Sequence, residues 1–211
     1  MSDAEQSLGV PMDMKRNQLN ELLCQALETE LGGVKVYEMA LQCAVNEDLK
    51  QEWTEYLGQT RDHVRVLREL FALRGLDPDV ETPGRQVVRH IGESLVMAMR
   101  MALRSGGPPA AAQLVAAECV VDAETKDHMN WELIGRAGRA LGSDEGAALK
   151  SAYEQIEDQE DEHLYHTKGW CRELWLASLG LDAQLPPPEE TQNANSAMAA
   201  ARVKQARMEK R

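Results

Sequence analysis

Apolar residues recur every three or four positions along most of the chain, which is the spacing of one face of an α-helix. Stretches rich in Gly and Pro, or short polar turns, separate the periodic segments. The pattern predicts helices over about 17–45, from the turn at 46–48 to 74, over 85–104, over 110–140, and from the turn at 142–146 to 179. Ala, Leu, Glu, Gln, Arg and Met dominate the composition and favour helix, so we expect an all-α protein.

Short turns join the first predicted helix to the second and the fourth to the fifth. Connections of this length make the joined helices run back along each other in an antiparallel pair. The two pairs also share a pattern, because the first helix matches the fourth at an offset of 94 and the second matches the fifth at an offset of 100. Two similar hairpins joined by a long connection with an extra helix predict an antiparallel four-helix bundle with a pseudo-twofold axis.

Polar residues interrupt the apolar stripes of these four helices near their midpoints. They are Glu30 in the first helix, Thr60 and His63 in the second, Glu124 in the fourth, and Glu160 and His163 in the fifth. Because helices rise about 1.5 Å per residue, similar distances from the turns place these residues at similar heights. A buried charge requires a partner, and a metal ion suits the Glu-x-x-His spacing of 160–163. A solvated surface run is the alternative for this stretch, and it is our expectation for the neighbouring Glu157, Asp158, Asp161 and Glu162.

Gly32-Gly33 lies beside Glu30 in the interior of the first predicted helix, where glycine costs stability. Close approach of a neighbouring helix would account for this pair, and so would a local kink. The 85–104 helix is predicted to be amphipathic, with an apolar side made of Val88, Ile91, Leu95, Met99, Ala102 and Leu103. Methionine at helical spacing is more typical of core filling than of a metal site.

Because of these polar residues and the repeat, the region 17–179 resembles the ferritin-like superfamily, in particular the di-iron carboxylate bundles of bacterioferritin and rubrerythrin type. That family carries Glu on the first bundle helix, Glu-x-x-His on the second, Glu on the third and Glu-x-x-His on the fourth. The matching residues here are Glu30, Glu124, and Glu160 with His163. Tyr37 stands where such proteins often carry a tyrosine beside the metal, as a redox or hydrogen-bonding residue of the catalytic centre.

The second helix departs from the family pattern. Thr60 stands where the family has a Glu that usually bridges the two irons, while His63 is retained. The resemblance therefore implies the metal ligands Glu30, His63, Glu124, Glu160 and His163. His128, one turn after Glu124 on the same stripe, is either a sixth ligand or a core histidine hydrogen-bonded to Glu157 or to a backbone carbonyl.

Carboxylate and imidazole ligands suit iron, manganese or zinc. The resemblance favours iron, as two ions or as one ion in an asymmetric site. It implies an iron-dependent oxidoreductase, which acts as a ferroxidase or on O₂ or peroxide. A non-catalytic binding or scaffold protein with a degenerate metal site is the main alternative, and Thr60 supports it. An oxygenase acting on an organic substrate between the helices is the third interpretation.

Charge and cysteine content exclude some functions. The formal net charge is −12, and the last residues from 191 are basic, so the body that precedes them is more acidic still. An acidic body argues against binding to nucleic acid, whose affinity comes from neutralised phosphates. Cysteines at 24, 43, 119 and 171 form no close pair, which favours a reducing, cytoplasmic compartment. The sequence shows neither a signal-peptide pattern at its start nor an apolar run of membrane-spanning length.

The flanks of the predicted bundle, which covers 17–180, differ from it in composition. Residues 1–16 are mixed and polar, and we expect them to be poorly ordered. From 181 onward a Pro-rich linker leads into a basic tail, which we expect to be disordered and which is a candidate for docking to another protein. The extra helix and the long tail favour a homodimer over a ferritin-like cage.

Overall fold

A computed structural model describes residues 12–184 of the chain. This part folds into the helices α1 (Met12–Cys43), α2 (Glu47–Arg74), α3 (Pro83–Arg104), α4 (Pro109–Leu141) and α5 (Asp144–Ser178). Within 12–184 no strand occurs, which confirms the predicted all-α class. None of these described helices is long and apolar enough to cross a membrane. The predictions for 1–11 and for the basic tail at 185–211 lie outside the described residues.

Local signals set most helix ends close to where the sequence predicts them. The side chains of Asn46, Thr82 and Ser143 each accept a hydrogen bond from the backbone N–H three residues ahead, and so cap α2, α3 and α5. Gly75 and Gly142 end α2 and α4 in the left-handed conformation that glycine adopts without strain. These ends fix the short connections between α1 and α2 and between α4 and α5, and the two helices of each pair also pack against each other.

The start of α1 differs from the prediction. The helix begins at Met12, before the predicted cap at Asn17, so 12–16 are helical. Met, Lys and Arg have high helix propensity, and the segment contains neither Gly nor Pro to end a helix. A polar composition alone therefore gave the wrong boundary at this end.

Contacts between helices define which elements surround the interior. α1 packs against α2 and α4, and α5 also packs against α2 and α4, so these four helices enclose one interior. α3 packs against α1 and α4, and Arg85, Val96 and Met99 are its buried residues. The result is a helical bundle in which the helix of the long connection covers two of the other four.

Two apolar clusters fill the interior on either side of a layer of buried polar residues. One cluster includes Tyr37, Trp53, Tyr56, Met99 and Val120, and the other includes Leu27, Leu67, Phe71, Trp131 and Ile156. Each large apolar side chain that is fully buried stabilises the fold by about 1.5–3 kcal/mol. On α1, α2, α4 and α5, the predicted polar residues fall in sequence between residues of the two clusters. We call this level of the bundle the polar layer.

Gly32 and Gly33 lie where α1 approaches two other helices. A Cβ placed on Gly92 of α3 would lie 3.6 Å from the Gly32 Cα, so the two backbones are almost in contact. A Cβ placed on Gly33 would lie 3.3 Å from the Thr60 Cγ2 of α2, which is a tight contact. Close approach of neighbouring helices therefore accounts for the glycine pair within one continuous helix.

A buried ion-pair network fastens α3 to α1. Arg85 Nε donates to Glu28 Oε2 at 2.7 Å, and Arg89 Nε donates to Glu28 Oε1 at 2.8 Å. Arg85 also donates to the carbonyl of Val80, and Arg89 to the carboxylate of Glu81, so the network includes the loop before α3. Burial alone raises the pKa of Glu28, but the Arg89 and Arg85 guanidiniums outweigh burial and leave this pKa lowered.

Candidate metal centre

Five predicted ligands meet in the polar layer, in two groups that share one residue. Glu30, His63 and Glu160 form the first group, and Glu124, Glu160 and His163 form the second. Within each group the candidate ligand atoms lie within 4.8 Å of one another. All five residues are at most 3% exposed. The helix stripes and the repeat therefore predicted residues that the fold brings together, with Glu160 common to both groups.

The two histidines present the same ring atom to the carboxylates. His63 Nδ1 lies 3.0 Å from Glu160 Oε1 and 3.3 Å from Glu30 Oε1. His163 Nδ1 lies 3.5 Å from Glu124 Oε2 and 3.8 Å from Glu160 Oε1. The two imidazole rings are stacked, with their centroids 5.6 Å apart. The two groups thus repeat one arrangement, as expected for histidines related by the offset between α2 and α5.

A glutamine holds the other nitrogen of each imidazole ring. His63 Nε2 lies 2.8 Å from Gln159 Oε1, and His163 Nε2 lies 2.6 Å from Gln59 Oε1. Because an amide oxygen can only accept, each Nε2 carries a proton, and Nδ1 is the nitrogen directed at the carboxylates. Metal-binding histidines are commonly held in this way through the nitrogen that does not bind the ion. The stripes did not indicate these glutamines, although each precedes a histidine of the repeat by one turn.

Many buried atoms of the polar layer make no well-directed hydrogen bond within the described chain. They are Glu30 Oε2, Tyr37 Oη, His63 Nδ1, Glu124 Oε2, Asp127 Oδ1, both carboxylate oxygens of Glu160, and His163 Nδ1. A buried polar atom left unpaired costs about 1–3 kcal/mol, and a charged one costs more. Divalent cations bind carboxylate oxygens and imidazole nitrogens together, so these donors fit a transition-metal site.

The carboxylates also control the protonation of the polar layer. Burial alone lowers the pKa of His63, but Glu30 and Glu160 outweigh burial and raise this pKa to about 11. Burial raises the pKa of Glu160 to about 7; the Glu30 and Glu124 carboxylates add to this rise, and the adjacent His63 imidazole opposes it. Protons therefore occupy some of these positions in the metal-free protein, and a bound cation would displace them.

His128, the predicted sixth ligand, does not join either group. Its Nε2 lies 2.7 Å from Asp161 Oδ1, and 26% of its side chain is exposed. This hydrogen bond is also the main cause of the raised pKa of His128. The interpretation as a hydrogen-bonded histidine therefore fits the structure, with Asp161 in place of Glu157 as the partner. The expectation that Asp161 is solvated was wrong, because it is buried against His128.

Asp127 is a buried carboxylate of the polar layer that the stripes did not predict. It lies one turn after Glu124 on α4 and is only 4% exposed. Burial raises the pKa of Asp127 well above its usual value, and the carboxylates of Glu30, Glu160 and Glu124 raise it further. The polar layer thus contains one more acidic group than the predicted ligand set.

Tyr37 and Trp131 take equivalent places beside the two groups. Trp131 Nε1 donates to Glu30 Oε1 at 2.7 Å. Tyr37 is fully buried, and its ring centroid lies 6.1 Å from that of His163. Burial first, and then the adjacent Glu124 carboxylate, raises the pKa of Tyr37, so its phenol is neutral. The fold therefore places Tyr37 next to the candidate ligands, where the resemblance implies a tyrosine.

Thr60 adds no ligand to the polar layer. Its hydroxyl donates to the carbonyl of Tyr56 at 2.8 Å, within α2, and its methyl group faces Gly33. The position of the bridging Glu in the ferritin-like pattern is thus taken by a side chain that bonds to its own helix. Comparisons of the chain with family models, with curated proteins and with solved structures find no match. Function is therefore argued from the polar layer itself.

Proposed function

We propose that this protein is a metal-dependent oxidoreductase built on a ferritin-like, antiparallel four-helix bundle, with two iron ions bound in the polar layer. The observation that carries the proposal is the pair of Glu/His groups that share Glu160 and contain unpaired buried ligand atoms. Glu30 and His63 would hold one ion, Glu124 and His163 would hold the other, and Glu160 would contact both. Manganese or zinc suits the same ligands, and metal analysis distinguishes them.

The chain itself contributes orientation and exclusion of water. Iron held by carboxylates and imidazoles supplies electron-transfer chemistry toward ferrous iron, O₂ or peroxide. Gln59 and Gln159 fix the orientation of the imidazole rings. Tyr37, a neutral phenol beside Glu124, is placed to donate a hydrogen bond or a proton at its Oη. The apolar clusters on both sides of the polar layer keep water out, which strengthens electrostatic interactions within it.

Metal content tests this proposal directly. Protein purified without chelator and loaded with ferrous iron under anaerobic conditions is expected to hold about two ions per chain, as a dinuclear bundle site requires. Glu160→Gln removes the shared carboxylate and is expected to lose at least one ion. Glu162→Gln changes an exposed carboxylate of the same helix and should retain both. Absence of bound iron in the wild-type protein, or equal binding by the two variants, would contradict the proposal.

A non-catalytic binding or scaffold protein with a degenerate metal site is the second candidate, and Thr60 at the bridging position favours it. Consumption of O₂ and peroxide by the iron-loaded protein separates the two functions. The oxidoreductase is expected to consume one of these oxidants faster than the same concentration of free ferrous iron does. A protein that binds iron but consumes neither oxidant above that background would be the scaffold.

A further inference from the structure

The polar layer contains a carboxylate outside the five-residue ligand set. Asp127 is 4% exposed, and its Oδ1 makes no well-directed hydrogen bond within the described chain. It lies one turn after Glu124 on α4 and its carboxyl group interacts with that of Glu30, but it belongs to neither group of ligand atoms that lie within 4.8 Å of one another. A buried carboxylate among three others is unfavourable unless a cation or a proton pairs with it. Asp127 therefore requires a partner that the five-residue set does not explain.

The internal repeat relates Asp127 to the position that has lost its carboxylate. The offset of 94 between α1 and α4 aligns Gly33 with Asp127, and the offset of 100 between α2 and α5 aligns Thr60 with Glu160. Gly33 faces Thr60, and neither residue carries a charge. The equivalent pair in the second half of the chain is Asp127 and Glu160, which are both carboxylates. The first half of the polar layer thus has no carboxylate at this pair of positions, whereas the second half has two.

We propose that Asp127 is a metal ligand and that it supplies the carboxylate that Thr60 does not. This inference rests on the proposed function. The polar layer then offers two imidazoles together with the four carboxylates of Glu30, Glu124, Asp127 and Glu160. Four negative charges balance two divalent cations, whereas three would leave a net positive charge in a buried layer. The site is therefore rearranged from the ferritin-like pattern, with the carboxylate of α2 replaced by one on α4.

The competing explanation is that Asp127 is protonated and only donates a hydrogen bond to Glu30. Asparagine at 127 distinguishes these roles. Its amide has nearly the same shape as the carboxyl group and can donate an N–H to Glu30, so it replaces a protonated Asp127. It carries no negative charge, so its carbonyl oxygen binds a divalent transition-metal ion more weakly than a carboxylate does.

The experiment compares Asp127→Asn with Asp122→Asn, which changes an exposed carboxylate of the same helix. Bound Fe²⁺ and Co²⁺ are measured by elemental analysis and calorimetric titration, and melting temperature is measured with and without metal. The metal-free Asp127→Asn protein is expected to melt no lower than wild type, because asparagine has nearly the same shape and can donate the same hydrogen bond to Glu30. It is expected to bind the second ion at least about tenfold more weakly. Asp122→Asn should bind both ions as wild type does.

A double variant tests whether the Asp127 carboxylate takes the role of the carboxylate that is missing at position 60. Thr60→Glu in the Asp127→Asn background restores the carboxylate of the ferritin-like pattern on α2 and is expected to restore binding of the second ion. A double variant that folds but does not bind the second ion would contradict the claim that Asp127 supplies the carboxylate that Thr60 does not.

The outcomes separate this inference from the proposed function. If Asp127→Asn binds both ions with unchanged affinity while Glu160→Gln does not, Asp127 is not a ligand and the proposed function stands. If Asp127→Asn melts well below wild type without metal, Asp127 holds the fold, and the ligand assignment is overturned. If wild type and Asp122→Asn bind no metal, both proposals fail.

Discussion

Gln59 and Gln159 orient the two histidines of the polar layer, and this role predicts the effect of a single substitution. Gln59→Ala removes the acceptor for His163 Nε2 while all candidate ligands stay in place. Because the ring is then free to rotate or to change tautomer, metal affinity is expected to fall by about 10–100-fold. Calorimetric titration with Co²⁺ measures the change. Gln51→Ala alters an exposed glutamine of the same helix, and equal affinity in the two variants would contradict a positioning role for Gln59.

The burial of Asp127 instead of His128 shows that helical spacing does not determine which of two adjacent residues faces the interior. The α4 stripe at 117, 124 and 131 can be completed by 121 and 128 or by 120 and 127, since both series have helical spacing. Valine occupies both 120 and 121, so hydrophobicity does not decide between the series, and histidine at 128 favoured the wrong one. The alignment of Asp127 with Gly33 in the repeat was the available signal, because Gly33 was already marked by its unusual position.

Among the helices, α3 depends on Glu28 for its attachment to α1. Glu28→Gln leaves the guanidiniums of Arg85 and Arg89 without their shared carboxylate. Removing one partner of a buried ion pair leaves uncompensated charge, so we expect the free energy of unfolding to fall by about 3 kcal/mol at neutral pH. Urea unfolding followed by circular dichroism measures this change. Glu93→Gln alters an exposed carboxylate on α3 and should have little effect.

The difference in free energy of unfolding between wild type and Glu28→Gln should depend on pH in a predictable direction. The pKa of Glu28 in the folded protein is lowered from its ordinary value of 4.5, so its stabilising contribution is fully present above that pH. The contribution is lost as the pH falls through the folded-state pKa. The stability gap between wild type and Glu28→Gln should therefore be constant from neutral pH down to about 5 and shrink under more acidic conditions. A gap that widens on acidification would show that the ion pair does not account for the effect.

The close crossing of α1 and α3 at Gly32 and Gly92 makes opposite predictions for two substitutions. Gly92→Ala places a methyl group at an ordinary contact distance of 3.6 Å and favours helix. It should leave stability unchanged or raise it by up to about 1 kcal/mol. Gly92→Leu extends a larger side chain beyond Cβ at the point where the Gly32 backbone is closest, which should push the two helices apart and destabilise the protein by about 1–3 kcal/mol. Thermal unfolding compares them, and equal melting temperatures would mean that the helices are not in close contact.

Element boundaries were largely predictable from the sequence, whereas the environment of α3 was not. Turn residues and caps fixed the ends of α2, α4 and α5 because their conformational preferences act locally. The apolar stripe of 85–104 predicted burial for Ile91 and Leu103, yet both are exposed, while Val96 and Met99 are buried. An amphipathic pattern indicates that a helix has an apolar face, but it does not determine which neighbour covers that face or how much of it.

At the scale of the whole molecule, the polar layer was the most predictable feature, because the apolar stripes of four separate helices are each interrupted by polar residues near the middle. Each of the four interior helices carries polar residues between two apolar segments, and equal helical rise brings them to one level. The choice of partner within that level was not predictable, since it depends on how the helices are rotated about their axes. The net charge of −12 is consistent with attraction of cations toward such a site.

Anomalous X-ray diffraction from crystals of the iron-loaded protein tests most directly that two ions bind in the polar layer and share Glu160. Data collected above and below the iron absorption edge locate the metal independently of the protein atoms. We predict two peaks inside the bundle, one beside Glu30 and His63 and the other beside Glu124 and His163, with Glu160 between them. Anomalous density confined to surface carboxylates, with none in the polar layer, would contradict this account of the protein.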